Sequence, residues 1–149
     1  MINLNKTLYL TKDGSYTVYN SKYKEHYHSL HGAFQESKHV FINNGILHLL
    51  ETKPSQLNVL EVGFGTGLNA LLTIDFSEFY GIKINYTALE PYPLNEQIIE
   101  ELNYFNHFNF VEKRKSQYSS MHNCNWELPC NISPFFSLTK SNLKIQRRK

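Results

Sequence analysis

The chain has 149 residues and a mass of 17.5 kDa, one domain's worth of sequence. Its 41% hydrophobic and 14% aromatic content excludes wholesale disorder, collagen and low-complexity classes. The net charge of +2 hides two unlike parts: residues 1–112 hold 7 Lys/Arg against 12 Asp/Glu, and residues 113–149 hold 8 against 1.

The first segment reads as a β-hairpin. Thr7–Thr11 and Tyr16–Tyr19 are rich in β-branched and aromatic residues, and Asp13-Gly14 between them suits a tight turn that needs positive φ. A polar stretch with His26, His28 and His31 follows. Ala33–Leu50 reads mainly as helix, interrupted near Asn43-Asn44-Gly45. After a break at Lys53-Pro54-Ser55, Leu57–Val62 suits a buried strand. Gly63-Phe64-Gly65-Thr66-Gly67 then opens a helix marked by Leu68, Leu71, Leu72 and Phe76. Ile82–Leu89 is a second strand, ending at Glu90. The next helix should have Pro93 in its first turn, with Leu94, Ile98, Leu102 and Phe105 on one face. Further on, Phe108–Val111 reads as a strand and Tyr118–His122 as a short helix. Phe135–Thr139 and Asn142–Ile145 read as a hairpin around Lys140-Ser141.

The informative unit is Glu61-Val62-Gly63-Phe64-Gly65-Thr66-Gly67-Leu68-Asn69. Alternate glycines let the backbone turn sharply and approach a ligand closely. The helix start behind them offers unpaired N–H groups and a positive dipole end. A dinucleotide fold wants GxGxxG, and a P-loop wants Gly-Lys-Ser/Thr; neither is present. GxGxG with an acidic residue two positions before the first glycine is the form associated with S-adenosylmethionine in class I methyltransferases. Glu90, 23 residues after Gly67, stands at the tip of the second strand. There a carboxylate can take both hydroxyls of a ribose. A bare glycine turn with an exposed Glu is the structural alternative.

Beyond these units the wording resembles a known family. Tyr27-His28-Ser29, Gly32-Ala33, Gln35-Glu36-Ser37, Val40-Phe41-Ile42, Leu60–Leu71 and Ala88–Leu94 resemble the tRNA 5-methylaminomethyl-2-thiouridine methyltransferases, in their stand-alone form rather than the form fused to a flavin oxidoreductase. Met121-His122, Trp126-Glu127 and Phe135-Phe136 leading to Lys140 match more loosely. The resemblance implies N-methylation of an aminomethyl group on the wobble uridine of tRNA, with S-adenosylmethionine as donor, in the cytoplasm. It implies that Glu61, Gly63, Gly65, Gly67 and Asn69, with Phe64 and Thr66 in the same loop, shape the cofactor site. Glu90 would hold the ribose, Glu36 would lie near the cofactor, and Tyr27, His28 and Ser29 would line the substrate pocket.

The expected fold is α/β: a Rossmann-like class I methyltransferase sheet, with an N-terminal hairpin and helix over residues 1–52 and the cofactor-binding part over 53–149. One departure stands against the resemblance. In the family an Asp at the end of strand four, in a segment like FDAFAP, orients the amine and takes its proton. Here no Asp follows Asp75. The expectation is therefore an incomplete sheet, a truncated or frame-disrupted chain, impaired activity and no catalytic residue to name. The alternatives are a non-catalytic remnant that binds S-adenosylmethionine or RNA, and a nicotinamide-dependent oxidoreductase, which the GxGxG spacing disfavours.

Other features are bland. The three histidines lack zinc-ligand spacing, so no metal is expected. Cys124 and Cys130 suit neither a zinc site nor a disulfide framework, consistent with a reducing compartment. No apolar run is long enough to cross a membrane, and Met1–Lys6 carries no secretory signal. Lys113-Arg114-Lys115 and the tail Lys140–Lys149 either touch tRNA phosphates or are merely solvated.

Overall fold

The computed structural model describes residues 5–145. Two expectations, the absent secretory signal at Met1–Leu4 and the end of the basic tail at Gln146–Lys149, lie outside them.

The N-terminal hairpin forms as expected. Strands β1 (Lys6–Leu10) and β2 (Tyr16–Asn20) pair antiparallel, and a short β3 (Glu25–His26) adds to β2. Gly14 supplies the positive φ of the turn, at 82°. The Asp13 carboxylate organises this corner. It accepts from Thr11 Oγ1, Ser15 Oγ and Ser15 N on one oxygen and from Gln35 N on the other. Burial works against its charge, but these hydrogen bonds hold the carboxyl down at about 2. Thr11 Oγ1 and Ser15 Oγ accept from Ala33 N and Phe34 N. The hairpin's side chains thus satisfy the first N–H groups of helix α1 (Ala33–Ser37), whose own Gly32 has no side chain to cap with.

Beyond α1 the expected interruption at Asn43-Asn44-Gly45 does not occur. The chain continues as a wider π-type coil over Lys38–Ile46 and tightens to a 3₁₀ coil over Leu47–Thr52. The turn formers are absorbed by a change of pitch. The coil stops at Lys53, which is left-handed at φ 47° and precedes Pro54.

The main sheet follows the expected strand–loop–helix order. β4 (Gln56–Val62) leads through the glycine loop into α2 (Leu68–Tyr80), and β5 (Lys83–Leu89) returns parallel to β4 in register from Gln56↔Lys83 to Val62↔Leu89. The helix after Glu90 differs from expectation. It begins at Glu96, capped by the Asn95 side chain on Ile98 N, so Pro93 lies before it and not in its first turn. This helix, α3, ends at Glu101, and a separate 3₁₀ turn spans Tyr104–His107.

The last third departs most. Phe108–Val111 is no strand: Phe108 and Phe110 precede helix α4 (Val111–Asn123), which extends well beyond the short helix expected at Tyr118–His122. The expected hairpin around Lys140-Ser141 is also absent. Phe136–Ser141 is one continuous strand, β7; its antiparallel partner is β6 (Cys130–Ser133), upstream of it. β7 pairs parallel with β5, giving the order β4-β5-β7-β6.

One face of this mixed sheet carries the core: Leu57, Ile84, Tyr86, Phe136 and Leu138 are buried under the helices. On the other face Leu60 and Val62 are 64% exposed, and among the described residues β4 is an edge strand. α4 is held to α2 by charge. Arg114 is buried and donates to Asp75, Glu78 and Gln117, while exposed Lys113 reaches Glu78 at 2.7 Å. No helix among the described residues is long and apolar enough to cross a membrane.

Candidate functional site

The glycine loop sits where β4, β5 and α2 converge. Gly63 N donates to Leu89 O at 2.8 Å, continuing the β4–β5 ladder one step past the strand end. Gly63, Gly65 and Gly67 all have positive φ, at 89°, 52° and 76°. Two of them are also crowded. A Cβ on Gly65 would lie 3.2 Å from the Tyr27 ring, and one on Gly67 would lie 2.9 Å from His122. The spacing therefore serves two needs at once, a left-handed backbone and close packing.

Glu61 is buried at the end of β4. Asn69 Nδ2, on the first turn of α2, donates to its Oε1 at 2.9 Å. Burial pushes the carboxyl up to about 7, against the pull of Asn69 and of the Tyr86 hydroxyl. Its Oε2 has no partner among the described residues, and neither have Asn69 Oδ1 and Thr66 Oγ1. The unbonded Tyr86 hydroxyl faces Glu61 and the unbonded Tyr104 hydroxyl faces Thr66, so Asn69 Oδ1 is the atom of the three that a ligand is left to complete. Glu61, Thr66 and Asn69 border a cavity of about 270 Å³ that Tyr27, His28, Glu36 and Gly63 also line. Glu36, on α1, accepts from Ser29 N at 2.6 Å. Ser29 itself does not line this cavity, unlike Tyr27 and His28.

Glu90 closes the loop from the other side. Its Oε2 accepts from Gly65 N at 2.9 Å and its Oε1 from Tyr92 N at 2.8 Å. Both carboxylate oxygens are thus aligned by backbone, and each retains a lone pair for a hydroxyl. Glu90 faces a larger cavity of about 570 Å³, enclosed between the loop and the N-terminal sheet by Lys6, Tyr23, Tyr27 and Tyr92. Tyr27 and the glycines separate the two spaces.

Three residues that hold the loop from beneath had no role in the sequence-based site. Tyr118 Oη donates to Thr66 O at 2.7 Å, and His122 Nε2 lies 3.2 Å from the same oxygen. Burial, with Lys140 nearby, lowers His122 to about 4, so its ring is neutral at pH 7. Lys140, on β7, is buried and donates to His122 O at 2.7 Å, with its ammonium 4.9 Å from the Trp126 ring centre. Burial lowers its pKa as well. These residues border a third cavity of about 580 Å³ between α3 and α4. The signal that could have found them was the Met121-His122, Trp126 and Lys140 wording, matched to the family but not to a role.

The three histidines part company. His28 is packed against Thr17 and Tyr104, and burial lowers it to about 4. His26 packs edge-on against Tyr9 and tilted against Tyr19, and His31 is exposed. The thiols of Cys124 and Cys130 are free and half-buried.

The chain is similar to several known proteins. No protein-family model matches the chain. The tRNA 5-methylaminomethyl-2-thiouridine biosynthesis bifunctional protein MnmC of Leptospira interrogans is 31% identical over 119 residues, covering 74% of this chain and 18% of that protein. The MnmC protein of Magnetococcus marinus is 34% identical over 85 residues, and that of an Acidovorax strain 38% over 58. The chain therefore spans less than a fifth of the length of the curated relatives it matches. In fold it is similar to the crystal structure of MNMC2 from Aquifex aeolicus, with a TM-score of 0.69 and 22% identity over 91% of this chain and 41% of that one. The Rossmann-like α/β architecture is shared between them.

Proposed function

Because the chain belongs to the family of the tRNA 5-methylaminomethyl-2-thiouridine biosynthesis proteins, we propose that it holds S-adenosylmethionine at the glycine loop and serves N-methylation of the aminomethyl group on the wobble uridine of tRNA. The observation that carries this reading is Glu90, whose two carboxylate oxygens are aligned by Gly65 N and Tyr92 N, with the unpaired Asn69 Oδ1 beside Glu61 across the loop. A carboxylate and an amide oxygen suit an amino acid's ammonium, and Glu90 suits a diol. The residues present therefore fit the cofactor, with Glu61, Asn69, Thr66 and Glu36 on its amino-acid end and Glu90 on its ribose. When bound, the cofactor supplies an electrophilic methyl group on sulfur. The chain's own part is to bind and orient: the loop backbone fixes position, and Tyr27 and His28 wall off solvent at the end near Glu36. In this reading residues 53–149 carry the cofactor and residues 1–52 cover it, and a tRNA substrate places the reaction in the cytoplasm.

A second reading is favoured by one observation. The two aspartates of the chain are both engaged elsewhere, Asp13 at the hairpin corner and Asp75 with Arg114. No aspartate stands at the loop, and the glutamates that do, Glu36, Glu61 and Glu90, are the groups assigned to the cofactor. Binding of cofactor without turnover is therefore the alternative.

Calorimetric titration with S-adenosylmethionine, and in parallel with NAD, tests the cofactor assignment. Saturable heat with the former alone is expected, with loss in Glu90→Ala; binding of NAD instead overturns the assignment. Transfer of labelled methyl to undermodified tRNA distinguishes enzyme from binder.

A further inference from the structure

The basic C-terminal quarter suggests itself as the RNA contact, but three of its five cations among the described residues are engaged within the fold. Arg114 is buried among Asp75, Glu78 and Gln117; Lys140 is buried over Trp126; Lys113 is paired with Glu78. The opposite end of the chain is different. Residues 5–31 carry four lysines against two acidic residues, whereas residues 32–112 carry three against ten. Asp13, one of the two, is consumed by the hydrogen bonds of the hairpin corner. Among the described residues, none of Lys6, Lys12, Lys22 and Lys24 forms an ion pair.

These cations are interleaved with exposed rings. Tyr23 is 61% exposed and Tyr9 46%. Lys22 Nζ lies 5.2 Å from the centre of the Tyr23 ring, and Lys6 Nζ 5.7 Å from that of Tyr27. Tyr9, Tyr19 and His26 form a ring cluster with centroids 4.8–5.7 Å apart. His26 also borders the cavity that leads to Gly63, Gly65 and Glu90, and its Nδ1 is buried without a hydrogen-bond partner among the described residues. A sheet that presents exposed rings and flanking ammonium groups matches the chemistry of unpaired nucleotides.

We propose that the N-terminal three-stranded sheet is the docking surface for a single-stranded stretch of RNA, with Tyr23 stacking on a base and Lys22 on its phosphate at the mouth of the cavity above the glycine loop. The occupant is RNA because lysines alternate with rings on an otherwise acidic body. It is single-stranded because stacking requires bases not already stacked on each other. The proposal rests on the tRNA reading above and adds where the RNA lies.

The test is fluorescence anisotropy with the full chain and a stem–loop RNA of anticodon-arm sequence, over a range of salt. Tyr23→Ala should weaken binding by about five- to a hundred-and-fifty-fold, the range for loss of one stacked base. Lys22→Gln should lower the salt slope by about 0.7, one phosphate on a single strand. Both residues are exposed on the turn before β3, and circular dichroism melts verify that the variants fold. Lys115→Gln on α4 should change neither quantity. The proposal is overturned if Lys115→Gln weakens binding as much as the turn variants, or if those variants bind like the parent. It is equally overturned if a fully paired hairpin binds as well as the open loop, if polyglutamate displaces the RNA as readily as single-stranded RNA does, or if no RNA binds. Calorimetry of the parent chain with S-adenosylmethionine is read separately. Failure there removes the cofactor assignment and leaves the RNA result standing, whereas cofactor binding with unaffected RNA binding in the variants removes the docking surface alone.

Discussion

The glycine loop has two sides, and they differ in how their polar atoms are treated. Beneath the loop, on the α4 side, Thr66 O receives Tyr118 Oη and lies within reach of His122 Nε2, and His122 O receives Lys140. On the outer side Asn69 keeps a buried oxygen without a partner beside Glu61; cavities adjoin the loop on both sides, so it is the hydrogen bonding that differs. A satisfied network is a support; an unsatisfied one costs stability and is retained where a ligand completes it. The contrast teaches that burial alone does not mark a site. Lys140 and Glu61 are both buried charged residues at strand ends, yet one is finished by the fold and the other adjoins the unpaired Asn69 Oδ1.

The sharpest way to break this division is to remove what holds the supporting side. Arg114→Ala leaves Glu78 largely buried and Gln117 buried with their shared partner gone. Loss of one member of a buried ion pair costs about 3–5 kcal/mol, and the low end applies because Glu78 keeps Lys113 and Gln117 and Asp75 is half exposed. The urea midpoint should fall accordingly, and cofactor affinity with it, because α4 carries Tyr118 and His122 to the loop. A loss below about 1 kcal/mol would place the cluster among exposed pairs and mean that α4 is not held by it.

A smaller effect, of opposite sign, belongs to the ligand side. Burial raises the Glu61 carboxyl from 4.5 to about 7. The folded chain therefore binds more protons than the unfolded chain between those values. Stability from this group is fully present below about pH 4.5 and is lost as pH rises through about 7. Glu61→Gln removes that dependence. At about pH 8 the variant should be more stable than the parent by on the order of 2 kcal/mol, and the gap should close towards about pH 5. The same substitution should weaken binding of S-adenosylmethionine. Thermal melts at several pH values measure the first effect and calorimetry the second. A variant less stable at every pH would make Glu61 a structural residue.

The same contrast explains how much could be read in advance. β4, the glycine loop, α2, β5 and Glu90 were legible because their signals are local: an apolar run, alternating glycines and a helical period, one after another. The hairpin was legible from Asp13-Gly14 for the same reason. α4 was legible only at its end, Tyr118–His122, because its buried positions include Arg114 and Gln117 alongside Tyr118 and Met121, so no apolar stripe marks its first turns. β7 was cut short because Lys140 reads as a turn residue, whereas it is an inward strand position covered by Trp126. Both errors arise where a charged residue is buried against partners distant in the chain, which periodicity cannot see. Those charges lie on the supporting side.

The smallest effect sharpens the comparison most finely. Tyr118→Phe keeps the ring, its packing against Tyr104 and Phe105, and the helix, and removes only the hydroxyl that donates to Thr66 O. A buried carbonyl left without its donor costs about 1–3 kcal/mol. Here the oxygen keeps His122 Nε2 at 3.2 Å, so the cost should sit near the lower end, about 1 kcal/mol in urea unfolding. The informative quantity is the pairing with His122→Phe. If both groups serve one oxygen, the double variant should lose more than the two single losses added, because only then is Thr66 O fully orphaned. Strict additivity would mean that the two act on the loop separately, and that the carbonyl is not the point through which α4 supports the glycines.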